Sequence, residues 1–363
     1  MWTTWICATM TGIKLAQLDP VSASFSRQLN GIGSGAHEFV TAEIGEGDTV
    51  EERRASRVDL TRTWARTVVQ CWDDVPRYAG LIVGKTRKAN GTVSINTVDV
   101  REVLKYRTTF GQNGYNGQTD GRFTLKNKTL TIIANYLIAD ATQQGLTANW
   151  SLPFQIPSRD GDGNQSREYH EFNLPVIETE LSALQDTDGG PDIDFNPVWS
   201  ASRLRWECRV GTLSGPTLDW DLNASKTSAT EFGFVEDGNA QGNVFYAVGN
   251  GSDRDLKVAT SAGLLQGDEP ALERILQHTQ ERSLPVLQAH AQASLQAYQR
   301  PTRQYSLSMQ ADGEPGAGDL VLGQTLRTHT ESDDWLPDGW LSHRLIGYSA
   351  DLTTTIKLQM QQQ

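Results

Sequence analysis

The sequence predicts a β-rich α+β protein with more than one domain. Apolar and polar residues alternate strictly over 203–210, which is typical of a half-buried strand. Two segments, 130–141 and 284–298, instead carry apolar residues at helical spacing. The chain has 363 residues, 33 of them glycine, so it is long enough for two or three cores and rich in turns. Helices packed on such strands give an α+β architecture.

The first part of the chain, up to about residue 110, predicts short strands. Val93 and Ile95 alternate with Ser94 and Asn96, the period-two pattern of a strand with one buried face. A short helix follows over Asp99–Leu104. The strands are predicted at 4–10, 23–29, 37–42, 66–72, 78–85 and 92–98. The glycine-rich stretch Phe110–Gly121 is the first candidate domain boundary.

The middle of the chain predicts two helices and several strands. Thr129 is a natural N-cap for the first helix, and Gly145 lies at its expected end. Leu130, Ile133, Ala134, Leu137, Ile138 and Ala141 share one face of it. The second helix is predicted over Leu174–Leu184, with Asn173 as its cap and Pro175 in its first turn. Strands are predicted at 192–195, 203–210, 231–235, 243–248 and 256–260.

The last part predicts two further helices and then strands. One helix begins at Asp268–Pro270, and a second runs from Ser283 to Tyr298. After the break at Pro301–Thr302, strands are predicted at 304–309, 318–321 and 351–360. In the last strand Leu352, Thr354, Ile356, Leu358 and Met360 share one face.

Charge and cysteine content exclude several classes of protein. The net charge of −12 argues against a dedicated nucleic-acid binder, although an acidic surface can line a channel through which DNA slides without sticking. Cys7, Cys71 and Cys208 are too few and too distant for a disulfide framework, which favours folding in a reducing cytoplasm. The N-terminus does not resemble a signal peptide, and no apolar run reaches the roughly 18 residues of a membrane span.

The glycine and histidine patterns give no specific site. Gly31–Ala36 fits G-x-G-x-x-A, but a strand rather than a helix is predicted after it, so a hairpin loop is the better interpretation. No two histidines have the i, i+4 spacing of a zinc site, and no C-x-x-C is present. We therefore expect surface or capping roles for His37, His170, His278, His290, His329 and His343.

The segment Asp160–Glu171 is the best candidate for a metal ligand set. Oxygen-bearing side chains occupy loop positions 1, 3, 5 and 12, as in a calcium loop. Gln165, however, stands at position 6, where the sharp turn needs glycine, and the flanking apolar helices are missing. A solvated turn is the main interpretation, and a calcium site is the alternative.

Three other groups of residues have both a functional and a structural interpretation. Asp186, Asp188, Asp192 and Asp194 are either a carboxylate pocket or the end of a helix followed by a strand. The row Arg203, Arg205 and Arg209 either contacts an acidic partner or is a solvated strand face. Some tryptophans either form a sugar platform or pack in cores and interfaces: Trp64, Trp72, Trp150, Trp199, Trp206, Trp220, Trp335 and Trp340. The sequence therefore assigns no catalytic, cofactor-binding or metal-binding residue.

Several blocks follow one another in an order that resembles phage tail hub proteins. In the N-terminal part these blocks are Arg66–Gln70, Tyr78–Gly84, Thr92–Asn96 and Arg101–Arg107. The segment Gly190–Phe195 fits in the middle. Near the C-terminus, a helix, the Pro301–Thr302 break, a strand and the run Pro315–Gly323 form the closing block. The chain is similar in particular to minor tail proteins of long-tailed phages of actinobacteria.

The resemblance implies two β-barrel modules that form a tube and one mixed α/β domain. The corresponding boundaries are 1–110 for the N-terminal barrel, 111–265 for the middle α+β domain, and 266–363 for helices and the C-terminal barrel. The middle domain can include strands of the second barrel. Hubs of this kind form homotrimers at the distal tail end, where six barrels adapt a six-fold tube to a three-fold tip.

The resemblance also implies a structural role in a virion, assembled in the host bacterial cytoplasm, and no enzyme activity or cofactor. The expected partners are other copies of the chain, the distal tail protein ring, the tape measure protein and receptor-binding tail-tip proteins, with DNA passing only in transit. Since the sequence stops at Gln363 after a strand, cell-wall cleavage is expected to reside in other tail proteins. The alternatives are a glycan- or receptor-binding module that uses Trp335 and Trp340, and a hydrolase that uses Asp186–Asp194.

Overall fold

The computed structural model describes residues 1–109, 121–143, 151–263, 270–279 and 281–362. Thirteen strands from the two ends of the chain lie in one sheet, and the other strands form three smaller sheets. This arrangement, with helices packed on the strands, confirms the β-rich α+β class. The predicted helix stop at Gly145, the ring of Trp150 and most of the glycine-rich boundary stretch lie outside the described residues.

The N-terminal β-module consists of seven strands and one helix, α1 (Val50–Leu60). Its strands are β1 (Trp2–Ala8), β2 (Lys14–Gln17), β3 (Ser22–Gln28), β4 (Ser34–Val40), β5 (Arg66–Trp72), β6 (Val75–Arg87) and β7 (Thr92–Asp99). They follow one another in the sheet as β3-β4-β7-β6-β5-β1-β2. The six predicted strands are all present, and the predicted short helix is a 3-10 helix over Val100–Tyr106.

Helix α1 is an element that the periodicity of the sequence does not predict. Of its residues only Leu60 is buried, so the helix carries no apolar stripe. Its start is nevertheless encoded locally, because Thr49 and Glu52 form a reciprocal capping box. The T-x-x-E pattern at 49–52 is the sequence signal that indicates the start of this helix.

The middle module packs two helices against a two-stranded and a three-stranded sheet. Its elements are β8 (Arg122–Lys128), α2 (Leu130–Gln143), β9 (Phe154–Gln155), β10 (Gln165–His170), α3 (Ile177–Gln185), β11 (Asp192–Ser200) and β12 (Arg203–Gly211). The six residues predicted to share one face of α2 are all buried. Thr129 caps this helix as predicted, since its hydroxyl accepts the Ile132 amide at 3.2 Å.

Helix α3 begins later than predicted. It starts at Ile177 instead of Leu174, and no side chain caps it, so Asn173 is not the N-cap. The residue before a proline is disfavoured from the helical conformation, and Leu174, which precedes Pro175, adopts a left-handed conformation with φ 45°. The predicted stripe is correct, because Ile177, Leu181 and Leu184 are buried.

The C-terminal β-module contributes six strands to the large sheet. They are β13 (Leu218–Asp221), β14 (Ala229–Asp237), β18 (Thr302–Gln310), β19 (Thr325–Thr330), β20 (Gly339–Asp351) and β21 (Thr355–Gln362). Two predictions were wrong here. Residues 318–321 form no strand, because Ala317–Asp319 is a 3-10 turn. The segment 351–360 is not one strand, because the β20–β21 turn interrupts it before Thr355.

A small insertion lies between β14 and β18. It contains β15 (Val244–Val248), β16 (Val258–Ala262), β17 (Glu273–Gln277) and α4 (Leu284–Tyr298). Leu287, Ala291 and Leu295 on α4 pack on Phe245 and Ala247, as the helical spacing predicts. The predicted helix from Asp268 was wrong where the structure describes it, since a strand occupies 273–277. Among the described residues no helix is long and apolar enough to cross a membrane.

A buried polar network lies inside the N-terminal β-module. His37 accepts from the Gln70 amide through Nδ1 at 3.2 Å, and its Nε2 contacts the Thr97 hydroxyl at 3.2 Å. The Tyr78 hydroxyl also contacts Thr97, at 2.8 Å. Gly80 makes this arrangement possible, because a Cβ there would collide with the Tyr78 hydroxyl. Burial lowers the pKa of His37 to about 4, so this histidine is neutral at pH 7. The predicted surface position of His37 was wrong, because the side chain is buried.

We expect His37→Gln to reduce the dependence of stability on pH. In the folded chain His37 becomes protonated only when the pH falls to about 4, whereas in the unfolded chain it becomes protonated below about pH 6.5. His37 therefore lowers the free energy of unfolding by about 2 kcal/mol between pH 7 and pH 5. Urea titrations of both proteins at the two pH values measure this difference. An identical pH dependence of the two proteins would contradict the assignment of a neutral, buried His37.

Candidate assembly interface

The N-terminal and C-terminal β-modules join through one pair of strands. β3 and β20 pair antiparallel, with Gln28 opposite Gly347 and Ser24 opposite Asp351. This pairing makes the sheets of the two modules continuous. The junction is therefore where the geometry of any assembly built from both modules is fixed.

Behind this junction lies a buried ion pair. The guanidinium of Arg27, on β3, donates to Asp194 Oδ1 at 2.5 Å, and both side chains are about 95% buried. Arg27 also donates to Asn196 Oδ1 at 3.0 Å and to the Tyr348 hydroxyl at 3.3 Å. The second oxygen of Asp194 accepts from Arg209 at 3.2 Å. One cluster thus connects strands of all three modules.

Electrostatics keep Arg27 charged at this position. Burial, the largest single effect, would lower its pKa, but Asp194, Tyr348 and Asp99 together outweigh burial and raise the pKa above the ordinary value. Asp99 lies in the same region, and burial raises its pKa to about 6. Removing one partner from such a buried pair leaves an uncompensated charge, which is more costly than losing a surface pair.

The closing run Pro315–Gly323 is held by arginines from the other two modules. Arg77, on β6, donates to Gly318 O at 2.9 Å and to Leu320 O at 3.4 Å. Arg209, on β12, donates to Leu322 O at 3.0 Å. The run that carries the sequence resemblance therefore lies at the contact between three modules.

A second bridge connects the middle module to both β-modules. Asp192 forms an ion pair with Arg344 on β20 and accepts from the side-chain amide of Asn30 at 3.0 Å. Asn30 in turn accepts from the Ile193 amide at 2.8 Å and from Gln185 at 2.6 Å. The middle module is thus fixed to the β3–β4 turn and to the C-terminal β-module.

One face of the large sheet carries mainly small polar side chains. It extends over eight neighbouring strands in the order β14-β18-β21-β20-β3-β4-β7-β6. We call it the open sheet face. Along each of these strands, its residues alternate with residues that are buried in the module cores. Typical members are Ser24, Ser26, Ser34, Ala36, Asn96, Ser306, Ser349, Thr355, Gln359 and Gln361.

The open sheet face contains a shallow groove at the junction. The groove has a volume of about 650 Å³ and is lined by residues of both β-modules, including Ser26, Asn96 and Ser349. Lys357 and Asp351 are the charged residues in its lining.

Of the acidic and basic residues singled out in the sequence, Asp192, Asp194 and Arg209 form ion pairs. Asp192 and Asp194 lie in strand β11 and pair with arginines, which favours the structural interpretation over a carboxylate pocket. Of the arginine row, Arg209 turns into the junction, whereas Arg203 is exposed on β12. Arg27 was not singled out, yet it interrupts the apolar alternation of Ala23, Phe25 and Leu29 in the sequence. That interruption was the signal for a buried charge.

The other candidate residues are dispersed. Gly31–Ala36 spans the turn between β3 and β4 and the start of β4, as predicted. His343 is buried like His37, contrary to prediction, and its Nε2 contacts Thr328 at 2.9 Å. His278 and His290 stack at 4.1 Å in the insertion. Among the described residues, no group of three or more His, Cys, Asp and Glu side chains is placed to hold a metal ion.

The segment Asp160–Glu171 does not have the geometry of a calcium loop. Its second half is strand β10, and Glu171 is buried beyond the strand. Lys128 donates to Gly161 O at 3.0 Å and to Asp162 Oδ1 at 3.1 Å. A lysine ammonium thus occupies the side of the turn that a cation would need.

The described tryptophans divide into buried and exposed sets. Trp206 and Trp220 are among the largest fully buried side chains, in agreement with core packing. Trp335 and Trp340, in contrast, are 79% and 49% exposed. The guanidinium of Arg327 lies 5.2 Å from the ring centre of Trp340.

Three solved structures of tail proteins have a similar arrangement of elements. The 43 kDa tail protein of prophage MuSo2 from Shewanella oneidensis has a TM-score of 0.60 at 9% identity, covering 99% of this chain and 98% of its own. The tail protein from Neisseria meningitidis MC58 has a TM-score of 0.55 at 11% identity, covering 99% and 96%. Prophage tail protein gp18 from Listeria monocytogenes EGD-e has a TM-score of 0.52 at 10% identity, and the match covers 98% of this chain and 94% of gp18.

The chain has the fold of these phage tail proteins. The likeness extends over nearly the full length of both chains in each comparison. No protein-family model and no curated protein matches the sequence. The fold is therefore shared with these proteins at very low sequence identity.

We expect Asp194→Asn to destabilise the protein by about 3–5 kcal/mol, because it removes the carboxylate that Arg27 donates to and leaves the buried guanidinium without a directly bonded counter-charge. The matched control is Asp219→Asn, which removes the exposed partner of Arg327 and should cost about 0–1 kcal/mol. Urea unfolding of the three proteins measures both values. Equal losses in the two variants would contradict a central role for the buried pair.

Proposed function

We propose that this chain is a structural component of a phage tail tip, a homotrimeric hub that surrounds the channel at the distal tail end. The observation that carries the proposal is the open sheet face, which is continuous across both β-modules. Its side chains are mainly small and polar, and its charged members include Glu38, Asp351 and Lys357. They suit the wall of a channel, because they offer no cationic row to bind phosphates.

The dimensions of the open sheet face agree with a trimeric channel. Three copies of its eight strands give a closed wall of 24 strands. With neighbouring strands about 4.8 Å apart, such a wall is roughly 115 Å around and about 37 Å across, and strand tilt widens it. That width leaves room for several α-helices of about 10–12 Å each, as a tape measure bundle requires.

The two β-modules of one chain explain the change of symmetry. Three copies present six β-modules, which match a six-fold tube, while the middle modules and insertions keep three-fold order. We propose the distal tail protein ring and the tape measure protein as neighbours, with DNA in transit. On the resemblance of the sequence blocks, we extend the proposal to long-tailed phages of actinobacteria.

The hub proposal predicts that cations on the open sheet face slow DNA passage. Ser26 and Ser349 are paired across the junction, so Ser26→Arg with Ser349→Arg places two guanidinium groups in the channel wall, where phosphates bind them. We expect particles that assemble but eject DNA several-fold more slowly, as measured by dye-binding ejection assays.

The matched control for this experiment is Thr124→Arg with Thr179→Arg, two exposed positions of the middle module. These particles should eject DNA at the wild-type rate. If the Ser26 and Ser349 variant ejects DNA as fast as wild type does, the open sheet face is not the channel wall.

A glycan-binding tail module is the second candidate, favoured by the exposure of Trp335 and Trp340. An exposed aromatic ring offers a flat apolar surface on which the apolar face of a sugar ring can stack. This candidate predicts binding of host cell-wall polysaccharide that Trp335→Ala and Trp340→Ala each weaken at least tenfold. Trp64→Ala, at a 42% exposed ring on the N-terminal β-module, is the control. Titration of tryptophan fluorescence measures the affinity, and the absence of wild-type binding rejects the candidate.

A further inference from the structure

The insertion between β14 and β18 has one covered and one uncovered sheet face. Its strands lie in the order β16-β15-β17. Phe245 and Ala247 on β15 face α4 and are buried against Leu287, Ala291 and Leu295. The alternate residues of the three strands lie on the side away from α4. We call this side the outer insertion face, and its cross-strand rows are Ala262, Val244 and Glu273, then Thr260, Tyr246 and Ile275, then Val258, Val248 and Gln277.

The outer insertion face is mainly aliphatic. Five of its nine residues are Val, Ile or Ala, and Tyr246 lies in its central row. Ile275 is 65% exposed and Val258 is 40% exposed, so the described residues leave both side chains uncovered. A solvated sheet face normally carries polar residues. The open sheet face of the same chain follows this rule with its Ser, Thr, Asn and Gln side chains. The outer insertion face departs from it, which indicates that another element covers this face in an assembly.

The size of the outer insertion face matches one helix. Three strands about 4.8 Å apart and five residues long span about 14 Å by 16 Å, or about 230 Å² in plan. A stable interface buries about 800 Å² on each partner, so this face is too small to hold two copies of the chain together by itself. A helix is about 10–12 Å wide and advances about 16 Å in 11 residues, so one helix covers the face. α4 covers the opposite face of the same sheet in this way.

The described residues of this chain do not supply that helix. The apolar stripes of α2 and α3 are buried in the largest core cluster, and the stripe of α4 is buried against the insertion sheet. α1 buries only Leu60, and Glu51 and Arg54 lie on its exposed side. A second copy therefore has no helix with a free apolar stripe, in the part of the chain that is described, to place on the outer insertion face. The covering helix comes from a different protein.

One charged side chain on the face determines which charge the helix carries beside it. Glu273 lies at a corner of the face, and its Oε1 accepts from the Tyr246 hydroxyl at 2.7 Å. Glu273 is exposed, so a Lys or Arg of the partner can reach its carboxylate. An acidic residue at the same place would be repelled. Charge complementarity thus requires a basic residue at one margin of an otherwise apolar stripe.

We propose that the outer insertion face binds one amphipathic α-helix of another tail protein, with its aliphatic stripe on Val244, Val248 and Ile275 and a Lys or Arg beside Glu273. The inference rests on the structural role proposed above and adds a partner at a site outside the two β-modules. Burial of the aliphatic stripe supplies the affinity, as in other contacts between a helix and an apolar surface. Because the contact is small, the rest of the assembly has to hold the helix near the face and so raise its effective concentration.

Photo-crosslinking in purified particles tests the proposal with the full-length chain. The probe is p-benzoylphenylalanine in place of Ile275, and in the control it replaces Gln296, an exposed residue of α4. Mass spectrometry identifies the crosslinked peptide. We expect a crosslink yield at Ile275 at least tenfold above that at Gln296. The peptide should come from another tail protein, carry apolar residues at i, i+4 spacing and contain a Lys or Arg.

A charge placed in the same face gives a second readout. Val258→Lys, combined with the probe at Ile275, should lower the crosslink yield at least tenfold, because the helix would have to bury an unpaired ammonium group. Val235→Lys is the matched control, since this valine is 67% exposed on β14, outside the insertion sheet, and the yield should stay unchanged. Thermal unfolding of the free chains should be the same for both variants and the wild type, because both valines are exposed in the free chain.

The possible results separate the inference from the proposed function. Crosslinks from Ile275 only to other copies of this chain would overturn the inference, and so would a crosslinked peptide without apolar residues at helical spacing. A yield no higher than that at Gln296, in particles that contain the chain, would also overturn it and leave the structural role in the tail intact. Particles without this chain would overturn both.

Discussion

The buried ion pair between Arg27 and Asp194 is the interaction on which the rest of the structure depends. It connects β3 of the N-terminal β-module to β11 of the middle module, and Tyr348 extends it to β20 of the C-terminal β-module. A charged pair without solvent is costly unless its remaining hydrogen bonds are satisfied. Here Asn196, Phe195 O and Arg209 satisfy them, so the three modules meet in a single arrangement.

The cores of the chain also span the modules. The largest core cluster itself contains residues of the N-terminal strands together with α2, α3, β11 and β12. The second cluster mixes Phe25, Trp72 and Tyr78 with the C-terminal strands. Neither cluster belongs to one module, and the polar junction between them fixes the register of β3 against β20. The open sheet face is continuous because β3 and β20 pair in this register.

The sequence predicted elements with strong local signals and missed those determined by distant partners. The stripe of α2 and the alternation of β12 are local, and both are correct. The start of α3 was wrong because Pro175 acts on the residue before it, and α1 was missed because its packing involves only Leu60. The junction was beyond prediction, since Arg27 and Asp194 are 167 residues apart. His37 and His343 were placed on the surface because nothing local indicates a buried network.

A tail hub acts through its shape and its contacts with neighbouring proteins, and it needs no reactive group. In agreement with this, Asp192 and Asp194 are paired with arginines within the fold. The most direct test of the hub account is cryo-electron microscopy of tail tips from particles that contain this chain. The account predicts three copies in a ring around the axial channel, with the open sheet face lining it and six β-modules in the wall. Copies that lie only on peripheral arms, with that face turned away from the channel, would contradict it.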